Sequence, residues 1–164
     1  MVVYRLCKVG EVNKLLDSED IESVAIPGKV FIDKQQEKNV NSHNYNFKVS
    51  YLHFFKDLSS IFYFYTEDKY ICTYDIPDDK LEKYQGEGFY WDYRNFSKME
   101  AVKEYAIPSF ELSFSYLKRI DKIKEFINYE DYLFDPSLSE ELETIYIKGK
   151  ERSRTKINSW TKNK

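Results

Sequence analysis

Cysteine is nearly absent: Cys7 and Cys72 are the two in 164 residues, each inside an apolar segment, and they form neither a CxxC pair nor a Cys/His cluster at metal-ligand spacing. A disulfide-stapled secreted fold is not indicated, and two buried thiols in a reducing compartment are expected. Long apolar runs are missing too. The stretch Met-Val-Val-Tyr-Arg-Leu-Cys meets Lys8 too early for the apolar part of a signal peptide, and no run approaches bilayer-spanning length, so a soluble, cytoplasmic protein is expected. Neither sign of charge dominates: a net charge of −3 gives no global attraction to nucleic acid or to an anionic membrane. Glycine (five) and proline (four) are few, and no P-loop, Rossmann fingerprint, zinc motif, GxSxG elbow or EF-hand loop occurs. No internal repeat is present either.

What the chain has in quantity is rings, 15 Tyr and 12 Phe, so aromatic bulk must fill much of the core. The length suits one domain burying about two thirds of the surface its unfolded chain exposes. Residues 1–147 read as a single α+β domain with two small, mainly antiparallel sheets and short flanking helices. Residues 148–164, with seven Lys or Arg and one Glu, read as a frayed basic tail.

Alternating and β-branched stretches predict strands at Val2–Cys7, Val30–Ile32, Phe47–Phe55, Lys69–Ile76 and Tyr116–Ile120. Apolar spacing predicts helices at about Gly10–Asp17 (Val12, Leu15, Leu16) and from Asp57 (Leu58, Ile61, Phe62, Tyr65). Acidic residues in a first turn predict shorter helices at Asp78–Tyr84, closed by Gly86 and Gly88, and at Ser139–Tyr146. A further helical segment is expected near Lys122–Tyr129, and Asp33–Asn46 reads as a polar, mobile loop.

The stretch Glu104-Tyr105-Ala106-Ile107-Pro108 reads as a strand with its apolar anchors, Tyr105 and Ile107, on one face and Glu104 and Ala106 on the other. Glu104 is the leading candidate for a working residue, against the common case of a solvated, idle carboxylate. Ahead of it, Gly86 and Gly88 allow close backbone approach to a ligand, and Tyr90 and Trp91 offer faces for a planar ring, unless these aromatics are simply core. Arg5, in mid-strand, either pairs with a carboxylate or presents its planar fork to a phosphate or ribose hydroxyl. His53, amid apolar neighbours, is either a hydrogen-bonded structural histidine or part of the same cleft. Three strands of one sheet could bring Arg5, His53 and Glu104 together.

Tyr4-Arg5, Tyr51-Leu52-His53-Phe54-Phe55, Tyr70 to Pro77 with the following Gly-Glu-Gly-Phe-Tyr turn, and Glu104 to Pro108 occur in an order that resembles the ADP-ribosyltransferase-like fold, especially its small bacterial and phage members. The resemblance spans roughly residues 1–123. It implies NAD as substrate in a cleft between two small sheets, no metal, and transfer of ADP-ribose to a protein, nucleic acid or small molecule, in a toxin or a phage or mobile-element effector. It implies Glu104 as the catalytic carboxylate, Arg5 on the NAD phosphates or ribose, His53 near the second-strand contact, and Tyr90, Trp91 or Tyr105 against the nicotinamide. No Glu-x-Glu or Gln-x-Glu pair accompanies Glu104, so the acceptor stays open. The alternative is a non-catalytic interaction protein on the same scaffold, binding a protein or nucleic acid through its aromatic surface or basic tail.

Overall fold

The computed structural model describes residues 1–38, 41–57, 60, 69–92, 95–122, 127–128, 133–134, 145–148 and 151–152; the side chains of 69, 91–92, 95–99 and everything past 121 lie outside that description. The elements in chain order are β1 (Val2–Lys8), α1 (Val9–Ser18), β2 (Ile26–Pro27), α2 (Gly28–Lys38), β3 (Ser50–Phe55), β4 (Lys69–Asp75), α3 (Asp78–Lys83), β5 (Gln85–Asp92), β6 (Asn95–Pro108), β7 (Leu117–Lys122), β8 (Ile127–Asn128), β9 (Leu133–Phe134), β10 (Ile145–Lys148) and β11 (Glu151–Arg152). The architecture is α+β.

All strand pairs are antiparallel, and one path of pairing runs β11-β10-β7-β4-β1-β3-β6-β5, with β2 added to β3 and β8-β9 forming a separate ribbon. Two small sheets were expected; the strands form one continuous sheet, but its middle joint is slender. β1 is in register with β4 at seven positions, from Val2↔Asp75 to Lys8↔Lys69, and with β3 at a single one, Tyr4↔Phe55. Beyond that pair β1 and β3 part, as twisted strands do when ladder bonds no longer hold them. The sheet thus has two halves hinged at Tyr4 and Phe55, and the split between them is where the candidate site lies.

One face carries the main core: Val3, Cys7, Leu52, Phe54, Tyr70, Cys72, Tyr74, Tyr105, Ile107, Leu117 and Ile120 from the strands meet Val12, Leu15 and Leu16 of α1 and Leu81 of α3. α1 forms here because its three apolar residues make one stripe, and it ends where Glu19 takes a left-handed conformation (φ 53°) and its N–H bonds the Leu15 carbonyl. Both cysteines are buried free thiols, as expected. The other face is covered by α2 and the segment after it, through Phe31, Tyr51 and Ala106 with Ile26, Tyr45 and Val49 around them.

α2 corrects the strand expected at Val30–Ile32 and shortens the loop expected from Asp33. Its β-branched start favours a strand locally, but Phe31 packs on the sheet while Lys34 and Gln35, one turn on, face polar partners. The helix was hard to see because the surface it covers is a polar site. Gly86 and Gly88 do not end a helix; they belong to β5, paired in register with Glu104 and Val102. The strand carrying Glu104 is longer than expected, spanning Asn95–Pro108. The strands at Val2, Ser50, Lys69 and Leu117, and the helices α1 and α3, match the expected elements within a few residues. The helix expected from Asp57 falls mainly on residues outside the description, as do 123–126, 129–132, 139–144 and most of the tail; Ile127–Asn128 is a strand where helix was expected, the strand Ile145–Lys148 begins inside the helix expected at Ser139–Tyr146, and Glu151–Arg152, expected to fray, pairs with it.

Candidate functional site

At the split between β1 and β3 lies a hollow of about 370 Å³, lined by Arg5 and Leu6 of β1, His53, Phe54 and Phe55 of β3, Glu104 of β6, Tyr90 of β5 and Lys34 of α2. Of the sequence candidates, Arg5, His53, Tyr90 and Glu104 are brought together here. Tyr105 is not: alternation along β6 turns it into the main core, where it is 3% exposed, so it is unavailable to a ligand in the hollow. Trp91 is in β5 opposite Met99, and its side chain lies outside the description.

Glu104 is 2% exposed. An ionised carboxylate so placed must be compensated by donors. His43 Nε2 is 3.1 Å from Oε1, and the Tyr90 hydroxyl donates to Oε2 at 2.8 Å. With an ionised acceptor the His43 nitrogen is the donor, so its Nε2 carries a proton. Burial alone would raise the Glu104 pKa, but the hydrogen bond from His43, the charge of a protonated His53 and the Tyr90 hydroxyl outweigh it and hold the carboxyl below its ordinary value. Burial drives His53 down to about 4, with His43, Arg5 and Lys34 adding to the effect against the pull of Glu104. At neutral pH His53 is therefore neutral, and its help to Glu104 comes only in acid. Burial first, then the Glu104 charge, pushes the Tyr45 and Tyr90 phenols up, so both stay protonated.

Two glycines make room for this arrangement. A Cβ on Gly86 would stand 2.5 Å from His43 Nδ1, and one on Gly88 would stand 2.7 Å from both Glu104 Oε1 and the Tyr90 hydroxyl oxygen. Glycine inside a strand marks such close approach. The His43 ring occupies the space beside Gly86, and the Glu104 carboxylate reaches over Gly88.

His43 is delivered by the segment after α2, which Gln35 ties down by donating to Asn41 Oδ1 at 2.6 Å and to the His43 carbonyl at 2.7 Å. The segment also touches the β5 edge: Ser42 N–H donates to the Glu87 carbonyl and Asn41 bridges to Gly88. Behind it, Phe31 stacks on Tyr45 at 4.9 Å and meets the His53 ring edge-on at 4.4 Å, while the Tyr45 hydroxyl and His53 Nε2 are 2.6 Å apart. Sequence reasoning missed His43, Tyr45 and Lys34. The available signal was that His43, one of two histidines in the chain, sits in a run rich in Asn and aromatic residues before a strand.

Arg5 realises one of its two anticipated roles in full. Its Nε and Nη2 donate to the two oxygens of Glu11 at 3.0 and 2.7 Å, and Nη1 donates across the split to the His53 carbonyl at 3.2 Å. Burial disfavours its charge, but the Glu11 carboxylate more than offsets this and the guanidinium stays protonated. A guanidinium has five N–H donors. Three are engaged in these bonds, and two remain for a ligand among the described contacts. The hollow therefore has cations, Arg5 and Lys34, and a held carboxylate on its wall, an arrangement suited to a ligand with an anionic part and a part where positive charge develops.

Among the described residues no helix is long and apolar enough to cross a membrane. No protein-family model, no curated protein and no solved structure matches the chain.

Proposed function

We propose that the protein is an ADP-ribosyltransferase-like enzyme that uses NAD as substrate. The observation that carries this reading is the convergence of Arg5, His53 and Glu104, from three strands distant in sequence, on one hollow at the hinge between two halves of an antiparallel sheet. NAD supplies a bond between nicotinamide and ribose whose breakage develops positive charge on the sugar. Glu104 meets that need: an ionised, buried carboxylate accepting from a ribose hydroxyl, in place of one of its present donors, stabilises the charge as it grows. The two remaining donors of Arg5, with the Lys34 ammonium, hold the pyrophosphate. Phe55 and Tyr90 provide ring surface for the nicotinamide.

Release of nicotinamide from NAD, followed chromatographically with and without candidate acceptors, tests the reading. Glu104→Gln keeps the shape and removes the charge, so it should lower turnover by at least about a hundredfold, the scale of losing one electrostatic stabiliser. Turnover unchanged by Glu104→Gln would overturn it. That Glu104 is already satisfied by His43 and Tyr90 favours, as a second reading, a non-catalytic scaffold; absence of any nicotinamide release would select it.

A further inference from the structure

The site contains a donor set that NAD chemistry does not require. One ligand atom from each of His43, His53 and Glu104 can be chosen so that all lie within 4.8 Å of one another. These are both histidines of the chain, ten residues apart, together with a carboxylate from a strand some fifty residues later. We propose that His43, His53 and Glu104 form a binding site for a divalent transition-metal ion of the zinc class.

Two imidazoles and one carboxylate are a common protein set for such an ion, with further positions taken by water. Tetrahedral bonds of about 2.0–2.2 Å place ligand atoms roughly 3.4 Å apart. The His43–Glu104 pair, at 3.1 Å, is already at that spacing. The widest separation in the set, 4.8 Å at most, must close by no more than about 1.4 Å, a movement within the reach of a rotating side chain. Binding replaces the Nε2–H contact of His43 with a metal bond. The proton passes from Nε2 to Nδ1 by way of solvent, so the ring coordinates as its other tautomer, and His53 offers one ring nitrogen to the ion.

The surroundings fit. The Tyr90 hydroxyl bonds the second oxygen of Glu104 and so orients the carboxylate, as outer partners of metal ligands do. Gln35 fixes the backbone that carries His43. The hollow borders both His53 and Glu104, so a bound ion has a side open to water. Because metal and ribose would both engage Glu104, the ion and NAD exclude each other, but the metal site does not depend on the NAD reading.

Titration of the tag-free chain with Zn²⁺, by calorimetry and without NAD, should give one equivalent bound. Co²⁺ in its place should develop the visible absorption of a low-coordinate complex. His43→Ala and His53→Ala, each checked for folding by circular dichroism, should lose that absorption, and Tyr90→Phe, which keeps all three ligands, should weaken Zn²⁺ by about 10- to 100-fold. No stoichiometric binding by the folded chain, or binding that persists when both histidines are replaced, would overturn the site. Zinc binding, together with no nicotinamide release by the metal-free chain, would leave the site standing and defeat the enzymatic reading instead.

Discussion

Replacing Gly86 with alanine probes the site by displacing His43 while leaving Arg5, His53, Tyr90 and Glu104 chemically unaltered. The new Cβ would lie 2.5 Å from Nδ1 and 2.6 Å from Cε1 of His43, against an ordinary contact distance of about 3.5–4.0 Å, so the ring must move by about 1 Å. That movement breaks or stretches the 3.1 Å bond to Glu104. A lost hydrogen bond to a charged group is worth about 1.5–3 kcal/mol, and the stiffer unfolded chain of the alanine variant returns about 0.4–1 kcal/mol. A net loss of about 1–2 kcal/mol should lower Tm by roughly 2–8 °C in a domain of this size. Gly10, in α1, is the control: nothing lies within 4 Å of its Cβ position, so Gly10→Ala should be neutral or raise stability by up to about 1 kcal/mol. Thermal unfolding followed by circular dichroism reads both. Equal stability of Gly86→Ala and Gly10→Ala would refute the placement of His43 beside Gly86 and with it the buried contact to Glu104.

Four further outcomes are expected. Acid should destabilise the fold in two stages: His53, at about 4 when folded against an ordinary 6.5, loses about 3 kcal/mol as pH falls through that window, because the unfolded chain takes up the proton first. Glu104, whose folded pKa is depressed, loses its contribution as pH falls further below its ordinary 4.5, and His53→Gln should abolish the first stage and, by removing a charge that holds Glu104 down in acid, reduce the second, in urea titrations at stepped pH. Arg5→Ala leaves the Glu11 carboxylate, 17% exposed, without its partner and should cost about 3–5 kcal/mol by denaturant unfolding, with Arg5→Lys recovering only part because an ammonium cannot reproduce the bidentate pairing. Gly28→Ala should be among the most destabilising changes by the same assay, since its Cβ would collide with the backbone carbonyls of Asn46 and Val49, which cannot swing aside as a side chain can. Glu104→Gln should remove nicotinamide release while leaving the unfolding free energy at pH 7 within about 3 kcal/mol of the parent, as the two charge-assisted bonds from His43 and Tyr90 are weakened rather than lost.

Much of the scaffold is legible in the sequence because its elements bury apolar faces. Val12, Leu15 and Leu16 announce α1 by their spacing, and the aromatic and β-branched run Tyr70 to Ile76, stopped by Pro77, announces β4; both bury the residues that announce them. Where an element faces the site this agreement lapses. α2 meets its neighbours through Phe31, Lys34 and Gln35, so a helix that is mostly polar reads as a loop. Gly86 and Gly88 look like terminators because glycine usually is one, whereas here the missing side chains admit His43 and Glu104. His53 and Glu104 were accessible to sequence reasoning because side-chain facing in a strand follows from parity, whereas Arg5 shares the parity of the core residues Val3 and Cys7 and borders the hollow only because β1 and β3 part there. His43 and Tyr45 were not, because the path of an irregular segment depends on contacts such as Gln35 to Asn41 that no local pattern encodes. Tyr105, expected against the nicotinamide, lies in the core instead, and the parity that puts it on the opposite face from Glu104 was enough to exclude it.

The central claim is that the gap between β1 and β3 is built to take NAD. Calorimetric titration of the metal-free chain with NAD up to millimolar concentration tests it most directly. One saturable site is predicted, weakened when Lys34→Ala removes one of the two cations and retained in Glu104→Gln. No heat of binding at millimolar NAD in the folded chain would contradict the account.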